Sequence, residues 1–228
     1  MRSMTEELFL PSPAYALMMA LGLAAAGTVF RLFPAEQSPD RKGFVLAPAA
    51  LGMLLGAKLP VIASYGWDNL PAYAGKSLLG GLMGAYLAVR LAKWSSGIRW
   101  VGGGDAYVLP VCIAVAVGRV GCLFNGCCRG IGGFPAPVLE ILFHLAAFVV
   151  VLGWRRNRRH VGSWFPIYML AYCVFRFFSE FVRVEPRILA GLTAYHWLSL
   201  LGMALFTAEL RCRRKRNMET GHEHAPVE

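Results

Sequence analysis

Three arginines stand at helix positions of an otherwise apolar chain: Arg119, Arg176 and Arg183. A guanidinium offers a planar fork of donors that grips a phosphate through two parallel hydrogen bonds. Within a membrane a charged side chain costs about 2.5–3.5 kcal/mol on insertion scales, so each of these needs a partner. Arg176, Glu180 and Arg183 are spaced four and three apart and share one helical face. Arg119 is the second residue of the stretch "GRVGCLFNGCCRG" at 118–130, in which Gly121, Asn125 and Gly126 follow it, and Glu140 lies beyond. Internal ion pairs, Arg176 with Glu180 or Arg119 with Glu140, are one reading of the set. A phosphate site is the other, favoured because the arginines outnumber the nearby acids. A phospholipid headgroup carries such a phosphate at this depth.

Proton transfer needs a different group. His144 and His196 lie in apolar runs. Each reads first as a hydrogen-bonded interior histidine, yet a base for a thiol or alcohol needs about this pKa. Lys76 opens "GKSLLGGLMG", which lacks the phosphate-binding G-x-x-x-x-G-K-[ST] order. Its glycines suit close helix packing instead. Cys122, Cys127 and Cys128 form C-x4-C-C with no histidine nearby, which is not a zinc spacing. A disulfide on an oxidising side is open to them, as is a role as small packing residues. Cys112, Cys173 and Cys212 read as packing residues. No metal is expected.

These groups must be positioned by membrane helices. The chain has 228 residues, 57% hydrophobic and only 16% charged, against about 25% charged in a soluble domain. The expected fold is an all-α integral membrane protein with seven transmembrane helices, at 13–33, 44–64, 75–92, 104–118, 136–153, 162–182 and 191–210. Residues 1–210 form one polytopic domain, and 211–228 a polar, disordered tail. Glu6 and Glu7 precede the first apolar run, so it reads as a retained helix rather than a secretion signal. The basic runs "RRNRRH" at 155–160 and "RCRRKR" at 211–216 mark the cytoplasmic side. That places the N-terminus outside and the C-terminus inside. It also explains the net charge of +10 without nucleic acid. The fourth run is short. It is expected to break at Gly118 and Gly121 into a glycine-rich loop folded into an outer-half cavity.

Four segments, in order, resemble the bacterial prolipoprotein diacylglyceryl transferases. "GRVGCLFNGCCRG" is similar to that family's G-R-x-G-N-F-x-N-G-E-x-x-G, and "LGGLMG" at 79–84 to its H-G-G-L-x-G. "RFFSEFVR" at 176–183 is similar to R-F-x-x-E-x-x-R, and "GLTAYHWLS" at 191–199 to G-L-x-x-x-Q-W-L-S. The resemblance spans roughly residues 14 to 210. It implies transfer of the diacylglyceryl group of phosphatidylglycerol to the lipobox cysteine of a prolipoprotein, in the bacterial cytoplasmic (inner) membrane, without a cofactor. It implies catalytic roles for Arg119 and Arg176, with His196 as base. Asn125, Gly121, Gly126, Glu180, Arg183, Lys76 and Glu140 would bind substrate. The chain departs from the pattern at four places. Leu79 stands at the family's histidine, Cys122 at its asparagine, Cys127 at its acid and His196 at its glutamine. The expected base is therefore His196 or Lys76.

Overall fold

The computed structural model describes residues 12–34, 39–67, 75–98, 104–126, 128 and 130–222. Seven α-helices appear among them: α1 Pro13–Leu32, α2 Pro39–Tyr65, α3 Leu78–Ser95, α4 Asp105–Asn125, α5 Ala136–Arg156, α6 Trp164–Ser179 and α7 Ala194–His222. Short 3-10 turns cover Ile131–Gly133 and Glu180–Val182. A small antiparallel hairpin, Arg187–Leu189 with Leu192–Thr193, precedes α7. Ala190 and Gly191 at its tip both have positive φ, the geometry of a tight two-residue turn.

Five stretches are long and apolar enough to cross a membrane: Pro13–Leu32, Phe44–Tyr65, Asp105–Asn125, Ala136–Arg156 and Trp164–Val182. α3 carries Arg90 and Lys93 in its last turns, and α7 runs on into the basic segment. The architecture is that of a helical multi-pass membrane protein. Lipid tails are as apolar as leucine, so helices associate here through close packing. Gly52 and Gly56 of α2 face Gly80 and Gly84 of α3. A Cβ on Gly84 would lie 2.2 Å from the Gly52 carbonyl oxygen, and one on Gly56 2.4 Å from that of Gly80. α1 packs along α4 in the same way, where a Cβ on Gly22 would sit 2.8 Å from the Ala114 carbonyl oxygen. The buried core gathers Leu79, Met83, Val108, Cys112, Tyr168, Tyr172 and Phe206 from α3, α4, α6 and α7.

Two expectations are corrected. α4 does not break at Gly118 or Gly121 but continues to Asn125. Glycine costs about 1 kcal/mol relative to alanine inside a helix, but here the packing decides. A Cβ on Gly121 would meet Met18 Cβ at 2.9 Å, so glycine is what lets α1 lie close. The helix stops at Gly126, whose left-handed φ of 66° forms the C-cap. The basic tail also differs, since α7 carries helix through it as far as His222.

Candidate functional site

Glu140 is the centre of the site. α5 buries it to 2% exposure, and three guanidiniums converge on it from separate elements. Arg119 Nε of α4 pairs with Oε2. Arg176 of α6 lies 3.5 Å from Oε1, and Arg183, just past the Glu180–Val182 turn, lies 3.4 Å from the same oxygen. Glu180 is a second buried anion. It takes Arg176 at 2.9 Å and Arg183 at 3.9 Å. Glu185 completes the set, 3.7 Å from Arg183 and accepting a 2.9 Å hydrogen bond from the Tyr65 hydroxyl of α2. Three arginines thus face three carboxylates among the described residues. The excess of cations read from the sequence is absent from this cluster, and the internal ion pairs coexist with the converged geometry.

Local structure explains the convergence. The turn after α4 folds back so that Gly130 pairs with Arg183 in an isolated bridge. A Cβ on Gly130 would lie 2.5 Å from the Val182 carbonyl oxygen, so only glycine permits this approach. The turn thereby sets the end of α4 beside the end of α6. Arg119 also donates toward the sulfurs of Cys122 and Cys128, at 3.7 and 4.0 Å. Cys127 and Arg129 lie outside the described residues.

His196 is held at the start of α7. Its backbone N–H donates to Thr193 Oγ1, and that hydroxyl donates to Glu180 Oε1 at 3.0 Å. His196 Nδ1 lies 3.1 Å from Thr193 Oγ1 and 3.3 Å from Thr193 N. Thr193 is thus the N-cap and His196 stands three residues on, where a glutamate or glutamine would close a capping box. Two tautomers satisfy the contact. With Nδ1–H donating to the hydroxyl, Nε2 keeps its lone pair. With Nδ1 accepting from Thr193 N–H, Nε2 is a donor. Nε2 is buried and has no hydrogen-bond partner among the described residues. Phe177 and Phe181 pack edgewise on the ring.

The remaining sequence candidates stand apart from the charge cluster. Asn125 Oδ1 accepts from the backbone N–H of Ser12, tying the end of α4 to the start of α1. Gly121 makes helix contact and Gly126 makes the cap. Lys76 is exposed ahead of the Ser77 N-cap of α3, and among the described residues no ion pair joins it to the cluster. Leu79, at the position expected to be histidine, is fully buried in the apolar core. A pair that the candidate set left aside lies below Glu140. His144, one turn further along α5, hydrogen-bonds the Tyr168 hydroxyl at 3.1 Å through Nδ1. Its four-residue spacing from Glu140, and the spacing of Tyr168, Tyr172 and Arg176 along α6, was the available signal.

A match to the prolipoprotein diacylglyceryl transferase family covers residues 7–210. The chain belongs to this family. Similar proteins carry the name phosphatidylglycerol–prolipoprotein diacylglyceryl transferase. One from Chromohalobacter salexigens is 28% identical over 214 residues, covering 82% of this chain and 80% of the relative. One from Clostridioides difficile is 25% identical, covering 83% and 86%. A third, from Dehalococcoides mccartyi, is 26% identical and covers 90% of each. The family is one of transferases. Its match takes in all three arginines, Glu140, Glu180 and His196, so the charge cluster lies wholly inside the shared region.

Proposed function

We propose that this protein transfers the diacylglyceryl group of phosphatidylglycerol to the cysteine thiol of a prolipoprotein lipobox, releasing glycerol phosphate. The convergence of Arg119, Arg176 and Arg183 on one buried carboxylate carries the reading. The cluster is neutral as it stands, with the Glu140 carboxylate held where three forks meet. A phosphodiester offers the same planar pair of oxygens, so the headgroup takes over part of the contact that Glu140 holds.

In the reaction the cysteine sulfur attacks the glyceryl carbon bonded to the phosphate oxygen. The carbon–oxygen bond breaks, its electron pair leaves with the glycerol phosphate, and a thioether forms. Arg119 and Arg176 stabilise the charge that gathers on the leaving phosphate. Arg183 and Glu180 hold these arginines in register. The thiol proton goes to His196 Nε2 in the tautomer whose Nδ1–H faces Thr193, so that Thr193 and Glu180 orient the ring as a base is oriented in a catalytic triad. Lys76, Asn125, Gly121 and Gly126 stand apart from the three arginines and take no step in this scheme.

This reading uses seven membrane crossings with the N-terminus outside, in the bacterial inner membrane, and opens the arginine cluster to the outer half. Its test is a lipobox peptide incubated with the protein in phosphatidylglycerol vesicles and weighed by mass spectrometry. Addition of one diacylglyceryl group on the cysteine supports it; an unmodified peptide contradicts it.

Leu79 favours a second reading. An aliphatic side chain fully buried at the family's histidine position removes the usual base. A protein that binds the phospholipid and passes its glyceryl group to another acceptor, or to none, fits that observation. Lipid binding through Arg119 without peptide modification would select it.

A further inference from the structure

Two polar side chains of the bundle interior take no part in the scheme above. His144 Nε2 and the Tyr172 hydroxyl are buried and have no hydrogen-bond partner among the described residues. Their rings lie together, with centroids 5.0 Å apart. His144 stands one turn after Glu140 on α5, and Tyr172 one turn before Arg176 on α6. Each is therefore about 6 Å along its helix from the arginine cluster, on the side of the apolar interior. Buried polar groups are hydrogen-bonded in the great majority of cases, so two orphans side by side point to a guest.

Their chemistry narrows that guest. The Tyr168 hydroxyl lies 3.1 Å from His144 Nδ1. Donation from the hydroxyl to Nδ1 satisfies both atoms and puts the histidine proton on Nε2. The reverse arrangement leaves the Tyr168 proton unplaced as well. The pair thus offers two donors, Nε2–H and the Tyr172 O–H. A carbonyl oxygen takes two hydrogen bonds and brings no proton of its own, whereas a water brings two. The surroundings are apolar. Phe143 packs edge-on against His144 and stacks on Phe175 at 4.6 Å, and this partly buried couple covers the seam between α5 and α6.

We infer that His144 and Tyr172 bind an ester carbonyl of the phospholipid whose phosphate the arginines hold, and so select ester-linked over ether-linked lipid. The inference rests on the phosphate reading proposed above. In a diacyl phospholipid the glyceryl unit sets the ester carbonyls a few bonds inward of the phosphate, the direction in which His144 and Tyr172 lie from Glu140 and Arg176. An ether-linked lipid with the same headgroup has no carbonyl and leaves both donors unpaired, and a site built to hydrogen-bond one group rejects the analogue lacking it. The lipid reaches the donors by parting Phe143 from Phe175.

The test is native mass spectrometry of the full chain in a non-ionic detergent, with equal amounts of diester and diether phosphatidylglycerol of matched chain length. The diester is expected to be retained roughly tenfold over the diether. Tyr172→Phe, which deletes only the hydroxyl, and His144→Phe are each expected to cut that ratio roughly threefold. Arg119→Ala is expected to lower both lipids alike and keep the ratio. Because Tyr172→Phe removes an unpaired hydroxyl, its melting temperature without lipid is expected to match or exceed that of the parent, which certifies the fold. Equal retention of the two lipids by the parent, or a ratio unchanged in both variants, overturns the carbonyl site and leaves the phosphate reading intact. Retention of neither lipid overturns both.

Discussion

Glu140 and Arg119 pair across the turn that joins α4 to α5, and the same carboxylate also lies within 3.5 Å of Arg176 and Arg183. One buried anion therefore anchors three cations. Removing the anion leaves all three under-neutralised, whereas removing one cation leaves Glu140 with two. Glu140→Gln is accordingly expected to destabilise the protein by about 3–5 kcal/mol, as for a broken buried pair. Arg119→Ala is expected to cost less. Thermal unfolding in detergent orders the two; the reverse order contradicts the anchoring role.

Thr193 both caps α7 and donates to Glu180. Thr193→Val removes the cap bond and leaves the Glu180 carboxylate short of a donor. A loss of about 1–2 kcal/mol is expected, with Thr193→Ser restoring most of it. Hydrogen exchange at the first turn of α7 reads the cap directly.

His196 stands where a capping-box glutamine would serve as well. His196→Gln should then keep the melting temperature while lowering turnover by roughly 10²-fold or more, the usual contribution of a general base. His196→Ala should lower both. Unchanged turnover in His196→Gln, with Lys76→Ala added, removes the proposed base.

The glycines of α2 and α3 hold these helices in backbone contact. Gly56→Leu, whose added atoms start 2.4 Å from the Gly80 carbonyl oxygen, is expected to separate the pair and lower stability strongly. Gly27→Leu on α1, with nothing within 4 Å of its Cβ, is expected to be silent. Comparable losses for both would deny the close approach a role.

Part of this cluster is legible in the sequence. The spacing of Arg176, Glu180 and Arg183 brings them together even though α6 ends at Ser179 and a 3-10 turn carries the last step, and the sequence offers Glu140 as a partner of Arg119. The charge balance was not legible, because Glu185 reaches Arg183 from the segment before the hairpin and is steadied by Tyr65, 120 residues earlier. The end of α4 at Asn125 is not legible, for a local reason. Glycine reads as a helix breaker, and only the partner helix shows that Gly121 is a contact surface. The cap at Thr193 follows the S/T-x-x-E/Q pattern once a histidine nitrogen is counted as acceptor. Leu79 gave the clearest departure, and its burial in the core shows an apolar environment suited to the residue present.

The most direct measurement follows glycerol phosphate release from headgroup-labelled phosphatidylglycerol, with purified protein in vesicles and a lipobox peptide. Release that requires the peptide and falls about 10²-fold or more in Arg119→Ala is the expected result. No release in the presence of peptide, with phosphatidylglycerol still held through Arg119, would contradict the transferase and leave a lipid-binding protein.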